Sequence, residues 1–530
     1  MELSNGQELA LLGLLVAVAA LLVAAPALRI PYPILLVLGG IALGFVPGMP
    51  ELELPPDLVL VALLPPLLYA GTFFTSLHEL RVNLRPIGLL AIGLVVATTV
   101  AVAVVAHATI DGLGWGPAFV LGAIVSPTDP VAASSIAHRL GVPRRLIAIV
   151  EGESLVNDGT ALVVYRFAVA AVVTGTFSIW HAGLAFVGSV LGGIGIGLVV
   201  GWLIRQLRRR LDNPPLEITI ALLSGYFAYL PAELLDASAI LAVVTVGIYM
   251  GAHTSELTTA QTRVQGDAVW EIVVFVLNAL LFVLIGLQLP VILDKLSDEP
   301  AATLLGYGAI VSVTVILVRL AWVYPAAYLP RLLSRRIRER DPYPPWTYPA
   351  FIGWAGMRGA VSLAAALALP LTTDAGTAFP QRDLILFLAM CVVLATLVGQ
   401  GLTMPLVIRA LGLEADRVPE KEETKARIRA AEAALARLEE LVDEDWVRPD
   451  TAERMRGLYN FRRNRFAARF DDADDGAIEE RSIAYQRLRR ELLDAERQML
   501  DELRREGVIT EQVMQRVERD LDLEDLRLDA

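Results

Sequence analysis

The chain is short of charge. Of 530 residues, 19% are Asp, Glu, Lys or Arg, against about 25% in an ordinary soluble protein. Lysine is nearly missing: among 45 basic residues only Lys295, Lys421 and Lys425 are lysine. Cys391 is the single cysteine and lies in an apolar run, which excludes a disulfide framework and a cysteine-based zinc site. Neither HExxH nor GxSxG occurs, and the histidines at 78, 107, 138, 181 and 253 all fall near the ends of apolar segments. A zinc or serine hydrolase has no motif here. What the chain does have is apolar surface: 55% of residues are hydrophobic and the mean hydropathy is +0.56. A soluble enzyme, a disordered chain and a fibrous repeat are excluded, and an all-α polytopic membrane protein is implied.

The charges are unevenly spread. Residues 1–413 hold 22 basic and 25 acidic side chains, while 414–530 hold 23 and 32. The first part is a long apolar body of net charge −3, and the second a polar tail of 117 residues with net charge −9. We expect a membrane domain over 1–413 and a helical C-terminal domain over 414–530. The first apolar stretch follows Glu2 and Glu8 and no basic residue, so it reads as a retained helix; a secretory signal needs a positive n-region.

A spanning helix needs about 20 mostly apolar residues. Pro, Gly and polar punctuation separates about 13 transmembrane candidates, at 9–28, 31–48, 57–76, 86–108, 115–137, 145–174, 181–205, 215–233, 236–252, 268–291, 301–329, 349–371 and 382–410. With the N-terminus outside, sixteen arginines, among them Arg29, Arg85, Arg145 and Arg331, fall in the inner loops, against Lys295 and Arg382 in the outer ones. That bias follows the positive-inside rule and places the tail in the cytoplasm. Thirteen spans divide as six, one and six, and the two sixes have opposite orientation: two inverted six-helix repeats, an arrangement used by secondary transporters. The fifth member of each repeat, 115–137 and 349–371, is the least regular of its half.

Ionisable groups inside spans are costly and mark function or pairing. Here they cluster. The fifth span reads GAIVSPTDPVAASS, with Pro127 and Pro130 around Thr128 and Asp129. Proline removes an amide donor and clashes with the preceding turn. The helix is expected to open there, and its freed carbonyls, a hydroxyl and a carboxylate give a hard-oxygen environment suited to an alkali cation. Asp129 also suits capping of the half-helix that follows, and the two roles are compatible. The sixth span reads EGESLVNDGTALVVYRF. Glu153 with Asn157, and Ser154 with Asp158, stand i and i+4 apart, so each pair shares a stripe. The twelfth span reads FIGWAGMRGAVSLAAALALP, with Arg358 between Gly356 and Gly359. A buried guanidinium needs an acceptor. Glu153, Asp129 and open carbonyls are candidates, and Glu153 is the expected partner, which leaves Asp158 to titrate; a purely structural anchor is the other reading of Arg358. Arg166 and Arg319 receive no transport role, and Arg319 is expected to snorkel.

SPTDPVA, EGESLVNDGTAL and GMRGAVSLAAALALP, in this order and spacing, resemble the cation/proton antiporter superfamily, nearest to the NhaP-like bacterial sodium/proton antiporters of the sodium/proton exchanger branch. The resemblance covers the whole membrane body. It implies two discontinuous helices that cross, a core domain around 86–174 and 301–410, and an interface domain around 9–76 and 181–291 through which a homodimer forms. By position it makes Asp158 the cation- and proton-binding carboxylate, with Asp129, Ser154 and Thr128 completing a Na+ site. Asn157, Glu153 and Arg358 shape that site, the last two as an acid–arginine pair. One departure stands out: LLPPLLYAG has Ala70 after Tyr69 where many relatives carry an acid, so the polar partner of Asn157 is open.

The implied activity is electroneutral Na+/H+ exchange in the cell membrane, by alternating access, with cation and proton competing at Asp158. K+/H+ exchange is the alternative, Li+ a further possible cargo, and a cation channel a more distant one. No enzyme activity, resident cofactor or nucleic-acid partner is expected; the partners are ions, lipid and a second copy. In the tail, 420–445 and 480–525 have helical spacing and opposite charges at i and i+4, interrupted by Asp471–Asp475 and Gly476.

Overall fold

A computed structural model describes residues 5–28, 30–46, 58–175, 179–296, 299–413, 418–468 and 477–529. Arg29, the edges of the second and third expected spans, and the Asp471–Gly476 interruption lie outside these. The described residues are mostly helical, and their sole strand-like pairing is an isolated bridge between Thr372 and Ala378. Helix overlaps each of the thirteen apolar segments over its described residues, interrupted within 115–137 and 349–371. By length and composition, six of the described helices suffice to cross a membrane: Leu84–Thr109, Arg144–Thr174, Gly183–Arg208, Ala260–Asp294, Ala301–Leu333 and Arg382–Ala410.

Local chemistry sets the helix starts. Asn213, Ser238 and Thr259 each accept the backbone N–H three residues on, so the helices from Pro214, Ala239 and Ala260 begin capped. Gly175, at φ +69°, closes Arg144–Thr174 in the left-handed conformation that glycine adopts without strain. This last helix carries Glu153 and Asp158 and is called the acid helix below.

The chain divides into two units, Met1–Ala415 and Asp416–Ala530. In the first, buried apolar side chains form two clusters. The larger joins the acid helix to Leu84–Thr109, Trp115–Arg139 and the segments from 304 to 408, and it also takes in Leu36, Val37 and 279–292. The smaller gathers Leu64–Ala70, Ile204, 221–250 and Trp270. Backbones approach closely where small residues face each other, as membrane helices require. Tyr32–Gly44 lies against Ala260–Asp294 so tightly that a Cβ on Gly40 would collide with Val283 O, and one on Gly286 would stand 2.7 Å from Ile41 N.

At one end of the acid helix an arginine collar ties the elements together. Asp341 accepts from Arg85 at 2.5 Å, Arg331 at 2.6 Å and Arg145 at 3.0 Å. Partial burial pushes its carboxyl upward, but the hydrogen bonds and charges of Arg145 and Arg331 outweigh this and hold it below the ordinary carboxylate range.

The second unit has four described helices, Val418–Leu441, Pro449–Ala468, Ala477–Arg505 and Glu511–Asp529. The expected i,i+4 pairs exist, as in Arg427 with Glu423 at 2.7 Å. Charges also link separate helices: Arg497 reaches Asp522 at 2.9 Å and Asp525 at 3.1 Å, and Arg456 reaches Glu439 at 2.8 Å.

The close crossing at Gly40 gives a direct test. Gly40→Leu should abolish recovery of monodisperse protein from detergent, because a backbone carbonyl occupies the new side chain's volume. Gly306→Leu, at a position with open space around its Cβ, should be recovered at the wild-type level. Equal recovery of the two variants in a size-exclusion profile would refute the packing argument.

Candidate functional site

Two broken helices meet at the centre of the first unit. Pro127 and Pro130 end Trp115–Val125, and helix resumes at Val131–Arg139, as the missing amide donors require. In the second case Thr347–Trp354 ends before Gly356, and Ala360–Leu367 begins after Gly359. The breaks bond to each other: Asp129 N–H donates to Met357 O at 2.8 Å. A Cβ on Gly359 would stand 2.6 Å from Asp129 Cγ, so the Asp129 carboxylate rests directly on that glycine's backbone.

Four helix ends therefore crowd one place, each with a partial charge of about half a unit. The side chains answer them by sign. Asp129 Oδ1 accepts from Val131 N–H at 2.9 Å, at the start of its own half-helix, and Oδ2 packs on Gly359 at the start of the opposite one. One carboxylate faces two positive ends. Arg358 does the converse. Its Nε donates to Val125 O at 3.2 Å and its Nη1 to Gly356 O, carbonyls at the ends of the two preceding half-helices. Its backbone N–H donates to Thr396 Oγ1 at 3.0 Å.

The acid helix supplies the third side. Thr128 is the hub: its carbonyl accepts from Ser154 Oγ at 2.8 Å, its Oγ1 accepts from Asn157 Nδ2 at 2.8 Å, and the same hydroxyl donates to Glu153 Oε1 at 3.3 Å. All four residues are buried. Asn157 thus has a polar partner on the first broken helix, which the missing acid at Ala70 had left open. Asp158, 6% exposed, makes no hydrogen bond among the described residues and lies within electrostatic reach of Asp129.

The expected Glu153–Arg358 pair is not formed. Arg319 takes Glu153 in a bidentate pair, Nη1 to Oε1 at 2.5 Å and Nη2 to Oε2 at 2.8 Å, and it also donates to Ile352 O from Nε at 3.1 Å and Nη2 at 2.9 Å. Both partners are at most 1% exposed, so Arg319 does not snorkel. Gly356 makes room for it: a Cβ there would lie 2.8 Å from Arg319 Cζ. The signal in the sequence was a lone arginine in the long apolar run 301–329; spacing alone does not say which of two buried arginines faces the acid. Arg166 pairs with Glu233 at 2.8 Å in an exposed position.

Thr128 and Asp158 are buried and Asp129 sits at the break beside Thr128, and carboxylate and hydroxyl oxygens are of the kind that hold a proton or a small hard cation. Among the described residues no three His, Cys, Asp or Glu side chains assemble as a metal site. The profile of the sodium/hydrogen exchanger transmembrane family matches residues 13–410. The chain belongs to that family. An uncharacterized Na+/H+ exchanger of Mycobacterium tuberculosis is 38% identical over 502 residues, covering 94% of this chain and 91% of the relative. The Na+/H+ antiporter ApNhaP of Aphanothece halophytica is 34% identical, covering 81% and 78%. The sodium, potassium, lithium and rubidium/H+ antiporter of Bacillus subtilis is 36% identical, covering 71% of this chain and 58% of the longer relative. The solved sodium/proton antiporter MjNhaP1 of Methanocaldococcus jannaschii shares the fold, with a TM-score of 0.58 at 18% identity, over 76% of this exchanger and all of that chain. The exchanger is a membrane transporter, and its activity is antiport of monovalent cations and protons.

The buried pair can be tested apart from transport. Arg319→Met leaves Glu153 uncompensated and should destabilise the protein by about 3–5 kcal/mol, read as a large fall in detergent melting temperature. Adding Glu153→Leu should recover most of that loss, since a buried pair replaced whole is close to neutral. Equal melting of Arg319→Met and wild type would show that the pair is not formed.

Proposed function

We propose that this exchanger carries Na+ against H+, one for one, by alternating occupation of Asp158. One observation supports the reading most. Arg319 holds Glu153, while Asp158 makes no hydrogen bond among the described residues. Of the two acids on this face of the helix, one is fixed as an ion pair and one is free to take a proton or a cation. Asp129, Ser154 and Thr128 complete the oxygen shell around Na+, with Asn157, Glu153 and Arg358 shaping it. With Glu153 tied to Arg319, Asp158 alone changes its load and no net charge moves.

Proton and cation compete because they use the same carboxylate. One carboxylate holds either a proton or a cation, and each excludes the other. As pH rises, protons leave and cation binding strengthens; as pH falls, the site closes to cations. Sodium is the expected cargo. The Bacillus subtilis relative is named for sodium, potassium, lithium and rubidium, so K+ and Li+ remain cargoes for the test to separate.

The same reading gives thirteen crossings in two inverted repeats, in the cell membrane, with the N-terminus outside and the tail in the cytoplasm. Sixteen arginines on one side against two basic residues on the other support that orientation. Alternating access moves a core around 86–174 and 301–410 against an interface around 9–76 and 181–291. A homodimer forms through the interface, where Leu184, Val187, Leu191 and Leu198 of Ile179–Arg208 face outward.

In proteoliposomes with a potassium–valinomycin clamp, Na+ should drive proton flux that is indifferent to voltage. Asp158→Asn should reduce the flux at least a hundredfold while keeping the wild-type melting temperature. Flux answering only to K+ would keep the site and change the cargo. Voltage-dependent flux would sink the one-for-one stoichiometry, and normal exchange by Asp158→Asn would sink the site.

A further inference from the structure

Asp158 is buried, and cations must reach it past an end of the molecule rich in arginine. Arg139 ends the second half of the first broken helix, Arg144 and Arg145 begin the acid helix, and Arg85 and Arg331 join Arg145 around Asp341. A basic rim raises the local potential and lowers the concentration of cations there. Four carboxylates lie at this end among the described residues, and Glu339 is spent on Arg335 at 2.9 Å. Glu79 is spent on Arg144 at 2.9 Å. Asp341 is spent on three arginines. Glu151 is the exception: no arginine holds it among the described residues, and its ionic neighbour is His138 at 3.8 Å, which is charged only when protonated.

Glu151 also lies on the right face. Glu151, Ser154 and Asp158 are i, i+3 and i+7 on the acid helix, a single stripe, with Glu151 about 10 Å below Asp158. Exposure falls along it, from 38% for the Glu151 side chain to about 5% for Ser154 and 6% for Asp158. Across from it runs Val131–Arg139, whose far end carries His138 and whose near end adjoins Thr128 and Asp129. The stripe leads from solvent to the buried oxygens.

We propose that Glu151 is the recruiting carboxylate of the exchanger. It binds the incoming cation transiently at the arginine-rich mouth and passes it along the Ser154 stripe to Asp158. This rests on Asp158 as the binding carboxylate. Glu151 does not take part in the exchange itself, so it sets the cation's rate of arrival, and with it the KM, on one face only.

The test uses full-length protein in everted and right-side-out vesicles, with Na+-driven proton flux measured against Na+ concentration at low and high choline chloride. Glu151→Gln should raise the Na+ KM about three- to tenfold on the face that presents the arginine collar. Vmax should stay within about twofold, and the salt dependence of KM should flatten. Glu151→Asp, which keeps the charge, should behave as wild type. An unchanged KM on both faces, a KM raised equally on both, or a fall in Vmax alone would each overturn the proposal. Asp158→Asn in the same vesicles separates the two readings. If it is inactive while Glu151→Gln is silent, only the recruiting role fails; if it exchanges normally, the site and the recruiting role fail together.

Discussion

Everything at the centre of this exchanger depends on one backbone hydrogen bond, from Asp129 N–H to Met357 O, where two interrupted helices meet. An interrupted helix deep in an apolar interior leaves peptide groups without partners, at a cost of several kcal/mol each. The crossing lets the breaks satisfy one another, and the remaining partial charges are met by side chains of opposite sign. Asp129 serves the amino ends and Arg358 the carboxyl ends. Neither is free to be replaced by an apolar residue, quite apart from any ion. The interrupted backbone by itself accounts for both buried charged groups.

The pairing of Glu153 with Arg319 has a different weight. A buried ion pair contributes little net stability, since desolvation of both groups offsets their attraction. Its effect is on position. Glu153 is bound to Arg319 and to the Thr128 hydroxyl, and the guanidinium is held also by Ile352 O. Asp158, five residues on, makes no hydrogen bond among the described residues, so the two acids of this helix have different surroundings. The Arg319 helix thus fixes one of them in place.

The breaks were legible because proline and glycine act locally: Pro127, Pro130, Gly356 and Gly359 interrupt helices whatever surrounds them. The stripe of Glu153, Ser154, Asn157 and Asp158 was legible because helical periodicity is local too. Pairings across helices were not. Arg319 and Arg358 are each a lone arginine in an apolar segment, and only the crossing angle of the elements decides which one meets Glu153. Asn157 poses the same difficulty. Its partner Thr128 lies 29 positions away, and nothing in the spacing of either motif distinguishes Thr128 from any other hydroxyl.

Rigidity and freedom are distributed accordingly. Within the larger cluster the acid helix is bonded directionally at Thr128 and Arg319, and at its arginine-rich end through Asp341. Toward the smaller cluster the contact changes character. Gly159, next to Asp158, faces Leu241 and Ile240 side chains and no polar group. The polar tie seen along this seam is Arg166 with Glu233, both 45% exposed, and an exposed pair of that kind is worth about 0–1 kcal/mol. Dispersion contacts are lost and remade on sliding with little penalty, whereas each directional bond must be broken outright. The acid helix is therefore held directionally toward the larger cluster and by dispersion contacts toward the smaller one, and a relative displacement of the two clusters costs least along the Gly159 seam.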